Sequence, residues 1–161
     1  MEMKILEIKK YPDKILRRKC QSIQGVTERE EALFNNMLFT MRQSQGIGLA
    51  APQVGIDRRL IVADIGEGAL FLANPEVIKV KGKDKMQEGC LSVPAALVNV
   101  ERAYEVVVAG LDEKGRSLEL KARGLLARVL LHEIDHLDGK LIVDYMPFLR
   151  KLYYNLANKG C

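Results

Sequence analysis

No run of 18 apolar residues occurs in the 161-residue sequence, which excludes a membrane-spanning helix of ordinary length. The opening Met1-Glu2-Met3-Lys4-Ile5 lacks both the apolar stretch of a secretion signal and the Arg- and Ser-rich character of a transit peptide. A cytoplasmic location is expected, with no membrane partner. Cysteine is scarce and odd in number, and Cys20, Cys90 and Cys161 stand far apart. That pattern excludes a disulfide framework and leaves each thiol to be judged as a metal ligand in a reduced compartment. Internal repeats, low-complexity tracts and linkers rich in Pro, Gly or Ser are also missing. At 48% hydrophobic composition the chain can build one well-buried core but has little room for a second, so a single domain over 1–161 is predicted. The 25 Lys and Arg exceed the 21 Asp and Glu by four, dispersed along the chain and without interleaved aromatics. Nucleic acid is therefore not expected as a substrate.

The periodicities that are present place the elements. Thr27-Glu28-Arg29-Glu30 has capping-box spacing and precedes Leu33, Phe34, Met37, Leu38 and Met41, an apolar stripe at helical period, so a first helix is predicted over 28–44. Strands are predicted at 60–63 and 76–80, and a hairpin at 104–111 and 117–121 around the polar loop that ends in Gly115. A second helix over 125–137 would bury Leu126, Val129, Leu130 and Ile134, with Gly139 placed to close it. Met146-Pro147-Phe148 opens a short third helix. Strands and helices come in blocks, which favours the α+β class.

The only two histidines of the chain fall within His132-Glu133-Ile134-Asp135-His136. Positions four apart on a helix lie ~40° apart on one face and ~6 Å apart along the axis. Two imidazoles so placed can grip one metal ion, and Glu133 can take a proton from a water in an open coordination position. Hydrolysis is the chemistry this pattern suggests.

A catalytic centre of this kind needs a third protein ligand. Downstream, Gly139 fits the extended histidine motif, but Ile142 stands where its third histidine would be, and no glutamate follows Glu133. Asp138 is too close along the chain, which leaves Asp144 as the oxygen candidate. Upstream, Glu88-Gly89-Cys90-Leu91-Ser92-Val93-Pro94 sets a cysteine beside a glycine and before a short apolar run, consistent with a strand edge facing the helix. Cys20, among Arg17-Arg18-Lys19, and the terminal Cys161 have polar surroundings and make poorer ligands. Cys90 is the favoured third ligand.

Three segments together resemble the motifs of the peptide deformylase family: Gly46-Ile47-Gly48-Leu49-Ala50-Ala51-Pro52-Gln53, Glu88-Gly89-Cys90-Leu91-Ser92 and His132-Glu133-Ile134-Asp135-His136. Their order and spacing fit, and the likeness spans nearly the whole chain. The resemblance implies a compact α+β domain of mainly antiparallel sheets packed around a central helix bearing the histidines, with an N-terminal helix and a short C-terminal one. It implies removal of the formyl group from the N-terminal formylmethionine of new polypeptides. Cys90, His132 and His136 would hold one divalent metal, Fe2+ foremost, with Zn2+, Ni2+ or Co2+ able to take the same site. Glu133 would be the general base, and the Gln53 amide and the Leu91 N–H would help to hold the oxyanion. Gly46 and Gly48 would let substrate backbone approach, and Ile47, Leu91 and Leu130 would line a methionine pocket. Nascent formylated peptides are the implied partners, with the ribosome beside them, although the sequence stops at Cys161 without the long C-terminal helix by which bacterial relatives dock.

Two departures stand out. Leu131 replaces the glutamine that relatives carry before the first histidine, and Pro94-Ala95-Ala96-Leu97 is apolar where relatives place polar residues and an arginine. Neither removes a ligand or the base. Taken alone, Cys90 reads as a small buried hydrophobe, Gly46 and Gly48 as a turn, Gln53 as a loop residue and Glu88 as a surface acid. The resemblance instead has Glu88 orient the site, paired with Arg102. Two other readings stay open: a metalloprotease with Asp144 as third ligand, and a paralogue that holds metal and binds formylated peptides without turnover.

Overall fold

Thr27 begins the first helix by a reciprocal cap. Its side chain accepts from the Arg29 N–H, while the Glu30 carboxylate accepts from the Thr27 N–H at 3.0 Å, an arrangement that stabilises a helix start by about 1 kcal/mol. In the computed structural model, which describes residues 3–158, this helix α1 spans Glu28–Gln43 and buries Phe34, Met37, Thr40 and Met41. The strands follow as β1 (Gly48–Ala50), β2 (Leu60–Ala63), β3 (Leu70–Lys81), β4 (Asp84–Cys90), β5 (Val93–Arg102), β6 (Glu105–Leu111) and β7 (Ser117–Arg123). After them come α2 (Gly124–Leu137) and α3 (Phe148–Ala157); one short 3-10 turn precedes α1 and two more lie between elements.

Five strands form an antiparallel sheet in the order β1-β2-β3-β6-β7, and β4 and β5 form a separate antiparallel pair. All four β2 residues are buried, because successive side chains point to opposite faces and each face is covered by a helix. Leu60 and Val62 pack with Phe34, Met37 and Met41 of α1. Ile61 and Ala63 pack with Leu130, Ile134 and Leu137 of α2. A third cluster joins Val93, Val98 and Val100 of β5 to Leu16, Ile142 and Val143. The histidine helix α2 is thus held against the large sheet while Cys90 arrives from the small one.

The class is α+β, as the blocks of elements predict. β3 begins six residues before the predicted strand, at Leu70, and the hairpin strands start at Glu105 and run on to Arg123. Gly139 closes α2 with φ 72°, and a Cβ there would lie 2.5 Å from the Arg17 carbonyl oxygen. Cys20 differs from expectation. It is 5% exposed within the α2 core, its N–H donates to the Leu137 carbonyl at 2.8 Å, and burial pushes its thiol up to about 11. The basic neighbours Arg17, Arg18 and Lys19 face outward and hide this inward turn from a sequence reading. Cys161 and the opening Met1-Glu2 lie outside the described residues. Among those residues no helix is long and apolar enough to cross a membrane.

α3 buries none of its residues, and Phe148, Leu149, Leu152, Tyr153 and Leu156 are all exposed. The Tyr11 hydroxyl donates to Asn155 Oδ1 at 2.8 Å, and the Tyr11 and Tyr154 rings lie 5.9 Å apart. Lys151 Nζ donates to Asp144 at 2.8 Å. These contacts tie α3 to the rest.

Candidate metal centre

Helical spacing turns His132 and His136 to one side of α2, and Cys90, the last residue of β4, meets them there. His132 Nε2 and His136 Nε2 are 3.2 Å apart, and Cys90 Sγ lies 3.3 Å from His136 Nε2. One donor atom from each of the three residues falls within 4.8 Å of the others. Metal–nitrogen bonds of about 2.0–2.1 Å and a metal–sulfur bond of about 2.3 Å at tetrahedral angles put donors roughly 3.3–3.6 Å apart, so this spacing fits one transition-metal ion. Burial opposes charge on both imidazoles, yet hydrogen bonding to Cys90 and Glu88 raises His132 well above its ordinary value, while burial and the His132 charge push His136 down.

Glu88 builds the surround. It is 6% exposed, not a surface acid. Arg102 Nε and Nη2 donate to its two oxygens at 2.6 and 3.0 Å, Arg128 Nη1 donates at 2.7 Å, and His132 Nδ1 lies 3.0 Å from Oε2. Burial resists ionisation of Glu88, but the hydrogen bonds from His132 and Arg102 prevail and hold it down at about 2. A carboxylate on the far ring nitrogen fixes the tautomer and plane of His132, leaving Nε2 free to ligate. Arg102 Nη1 also donates to Asp135 at 2.8 Å, as does the Tyr145 hydroxyl at 2.7 Å.

Glu133 is 4% exposed, and its Oε2 has no hydrogen-bond partner. Burial pushes its pKa up to about 7, against the lowering effect of His132 and Arg102, which suits a group that must take and return a proton near neutrality. Gln53 follows β1 on a 3-10 turn. Its Oε1 accepts from the Ala50 N–H at 2.8 Å, which aims Nε2 at Cys90 Sγ, 3.6 Å away, and at Ser92 Oγ, 3.2 Å away. A cleft of about 650 Å³ opens over these groups, lined by Gly46, Ile47 and Gly48 on one side and by Gly89, Cys90 and Leu91 on the other.

The geometry therefore gathers Gly46, Ile47, Gly48, Gln53, Cys90, Leu91, His132 and Glu133 at the cleft, with His136 behind it. Leu130 is not brought there. It is fully buried in the core between α2 and the large sheet, and its neighbour Val129 lines the cleft instead, with Met86 and Leu125. One residue along a helix is ~100° around it, which separates wall from core. Asp144 is also elsewhere: its carboxylate takes Arg17 at 2.5 Å, Lys151 and the Leu141 N–H, so it does not serve as a third ligand. Leu131 packs toward the α2 core, whereas Leu97 is 52% exposed on the cleft rim. Sequence reasoning missed Arg128 and Ser92. Arg128 stands one turn before His132 on the same face of an apolar helix, a signal that was readable. Ser92, fully buried against Gln53, ends the motif that contains Cys90, a signal that located it without giving it a role.

A sequence profile of the polypeptide deformylase family matches residues 5–151. The peptide deformylase of Halothermothrix orenii is 48% identical over 144 residues, covering 88% of this chain and 94% of the relative. Among solved structures, a peptide deformylase from Legionella pneumophila superposes with a TM-score of 0.90 at 40% identity, covering 95% of this chain and 92% of that one. Another, from Synechococcus elongatus in complex with actinonin, gives 0.89 at 40% identity, covering 96% and 86%.

Proposed function

Since this chain belongs to the polypeptide deformylase family, we propose that it hydrolyses the formamide of N-terminal formylmethionine on new polypeptides, releasing formate and a free amine. The observation that carries this reading is the meeting of Cys90, His132 and His136 within 4.8 Å beside the buried, unpartnered Glu133 carboxylate. Those three residues would hold a divalent metal, whose contribution when bound is Lewis-acid activation of water and of the formyl oxygen. Fe2+ is the ion proposed. A thiolate and two imidazoles also suit Zn2+, Co2+ or Ni2+.

The chain's own groups do the rest. Glu133 takes the proton of the attacking water and returns it to the departing amine nitrogen, and the desolvation that raises its pKa makes it basic enough for the first step and acidic enough for the second. The Gln53 amide and the Leu91 N–H donate to the oxygen that gains charge as the carbonyl becomes tetrahedral. The backbone of Gly46–Gly48 pairs with the extended peptide, and Ile47, Met86, Leu125 and Val129 receive the methionine side chain.

The reading includes one catalytic domain over 1–161 and a cytoplasmic location, supported by the need to keep the Cys90 thiol reduced. The reading also takes nascent chains displayed at the ribosome as the source of substrate. The test is formate release from formyl-Met-Ala-Ser by anaerobically prepared, iron-loaded protein. Glu133→Ala should lower the rate about 10²–10⁴-fold with its metal content intact. No formate from fully metallated wild type would overturn the activity.

A further inference from the structure

The two oxyanion donors come from different sheets. Gln53 follows β1 of the large sheet, and Leu91 lies in the turn between β4 and β5 of the small one. Three consecutive residues of the N-terminal segment cross from one to the other. The Lys9 N–H donates to the Gln53 carbonyl at 2.7 Å, Lys10 Nζ donates to the Leu91 carbonyl at 2.5 Å, and the Tyr11 N–H donates to the Ser92 carbonyl at 2.8 Å.

The Leu91–Ser92 turn needs such support. It is a two-residue connection closed by the pair Cys90 and Val93, and such hairpins favour turns in which the first central residue has positive φ. Neither Leu91 nor Ser92 has positive φ. The turn therefore lacks the conformation that would make it self-sufficient, and its orientation must be fixed from outside. Leu91's carbonyl and N–H are separated only by that residue's own φ and ψ, so anchoring the oxygen restrains the direction of the N–H. Donation weakens steeply once the angle at hydrogen falls below ~120°.

We propose that Lys10 is a positioning residue that aims the Leu91 N–H at the developing oxyanion, an inference that rests on the roles proposed for Gln53 and Leu91. Tyr11, anchored on α3 through Asn155, holds the strap in place. Lys10 itself is exposed, so its substitution leaves the core intact.

The experiment compares Lys10→Met, which keeps the apolar stem without a donor, with Lys10→Arg, which keeps a cationic donor, using formyl-Met-Ala-Ser and verified metal content. Lys10→Met should lower kcat about tenfold, a fraction of the 10²–10³ lost on removing an oxyanion donor outright, with KM within about twofold of wild type. Lys10→Arg should restore kcat. In the zinc-loaded protein, 15N relaxation should show the Leu91 amide order parameter falling in Lys10→Met from about 0.85 toward 0.6. Unchanged kcat, or a loss carried by KM or by metal content, overturns the proposal. Gln53→Ala measured in parallel separates the two levels. If it lowers kcat and Lys10→Met does not, Lys10 alone has been misassigned. If Gln53→Ala and Lys10→Met both leave kcat untouched, the oxyanion assignment fails and the role of Lys10 falls with it.

Discussion

Gly48 has no positive φ to explain it, and its reason for being glycine is spatial. A Cβ at that position would lie 2.3 Å from Glu133 Oε1, 2.9 Å from Glu133 Cδ and 2.9 Å from Val129 Cγ1. The space a methyl group would fill is the space in which Glu133, the proposed general base, stands. Gly48→Ala should therefore push the carboxylate aside and lower kcat about 100-fold, the scale of loss for a catalytic group misplaced by ~1 Å. Metal content should be unchanged, since no ligand is touched. Wild-type kcat in this variant, measured by formate release beside metal analysis, would show that Glu133 is not held where the structure has it. The sequence pointed to Gly48 for another reason, the approach of substrate backbone, and the two demands coexist at one atom. Residue identity was legible wherever helical spacing alone sets the geometry, as at His132, Glu133 and His136. Spacing alone was silent where a side chain's partner comes from a distant element. Taken by itself Glu88 reads as a surface acid; only the family resemblance paired it with Arg102, and its contacts with Arg128 and His132 were not foreseen.

At the scale of elements, the parts with one uninterrupted period were readable and the interrupted ones were not. α1, β2 and α2 follow their apolar patterns to within a residue or so. The β4–β5 pair does not, because most of β4 is polar or exposed and the alternation of β5 is broken between Glu88–Val98 and Cys90–Val93 pairing, where Ala95 adopts φ 58°. Arg102 then sits at a buried position of that strand, which no binary pattern anticipates. Asp144 shows how short elements are joined instead by charge. Arg17 of the 3-10 turn Lys14–Arg17, Lys151 of α3 and the Leu141 N–H all donate to it. Burial resists its ionisation, but the hydrogen bonds from Arg17 and Lys151 prevail and hold its pKa at about 2, below the ordinary 3.8. A depressed folded-state pKa contributes stability above the unfolded value that is lost as pH falls through the folded one. In metal-free protein, wild type should thus be more stable than Asp144→Asn near neutrality by a few degrees in Tm. That gap should close between about pH 4 and pH 2. Urea midpoints that fall in parallel for both proteins over that window would refute the coupling.

For the molecule as a whole, the question is whether the centre holds the fold or the fold holds the centre. The three donors come from two sheets' worth of structure, so a metal could in principle be the tie between them. The contacts say otherwise. The small sheet is joined to α2 by the Arg102–Glu88–Arg128 cluster and to the rest of the chain by its own apolar cluster with Leu16, Leu141, Ile142 and Val143, while both faces of the large sheet are packed independently of the donors. Small domains that unfold without metal lack such cores. Chelation should therefore abolish formate release and leave far-UV circular dichroism unchanged, with a single cooperative thermal transition. A ligand that binds only the folded state at ~100 times its Kd adds ~2.7 kcal/mol, and for a chain of this size each kcal/mol moves Tm by roughly 2–4 °C. Removal should lower Tm by roughly 5–10 °C, and readdition of Fe2+ under anaerobic conditions should restore both Tm and turnover. Loss of helical signal on chelation would place the metal among the forces that build the fold, and Glu88, Arg102 and Arg128 would then be too weak a bond between the sheets.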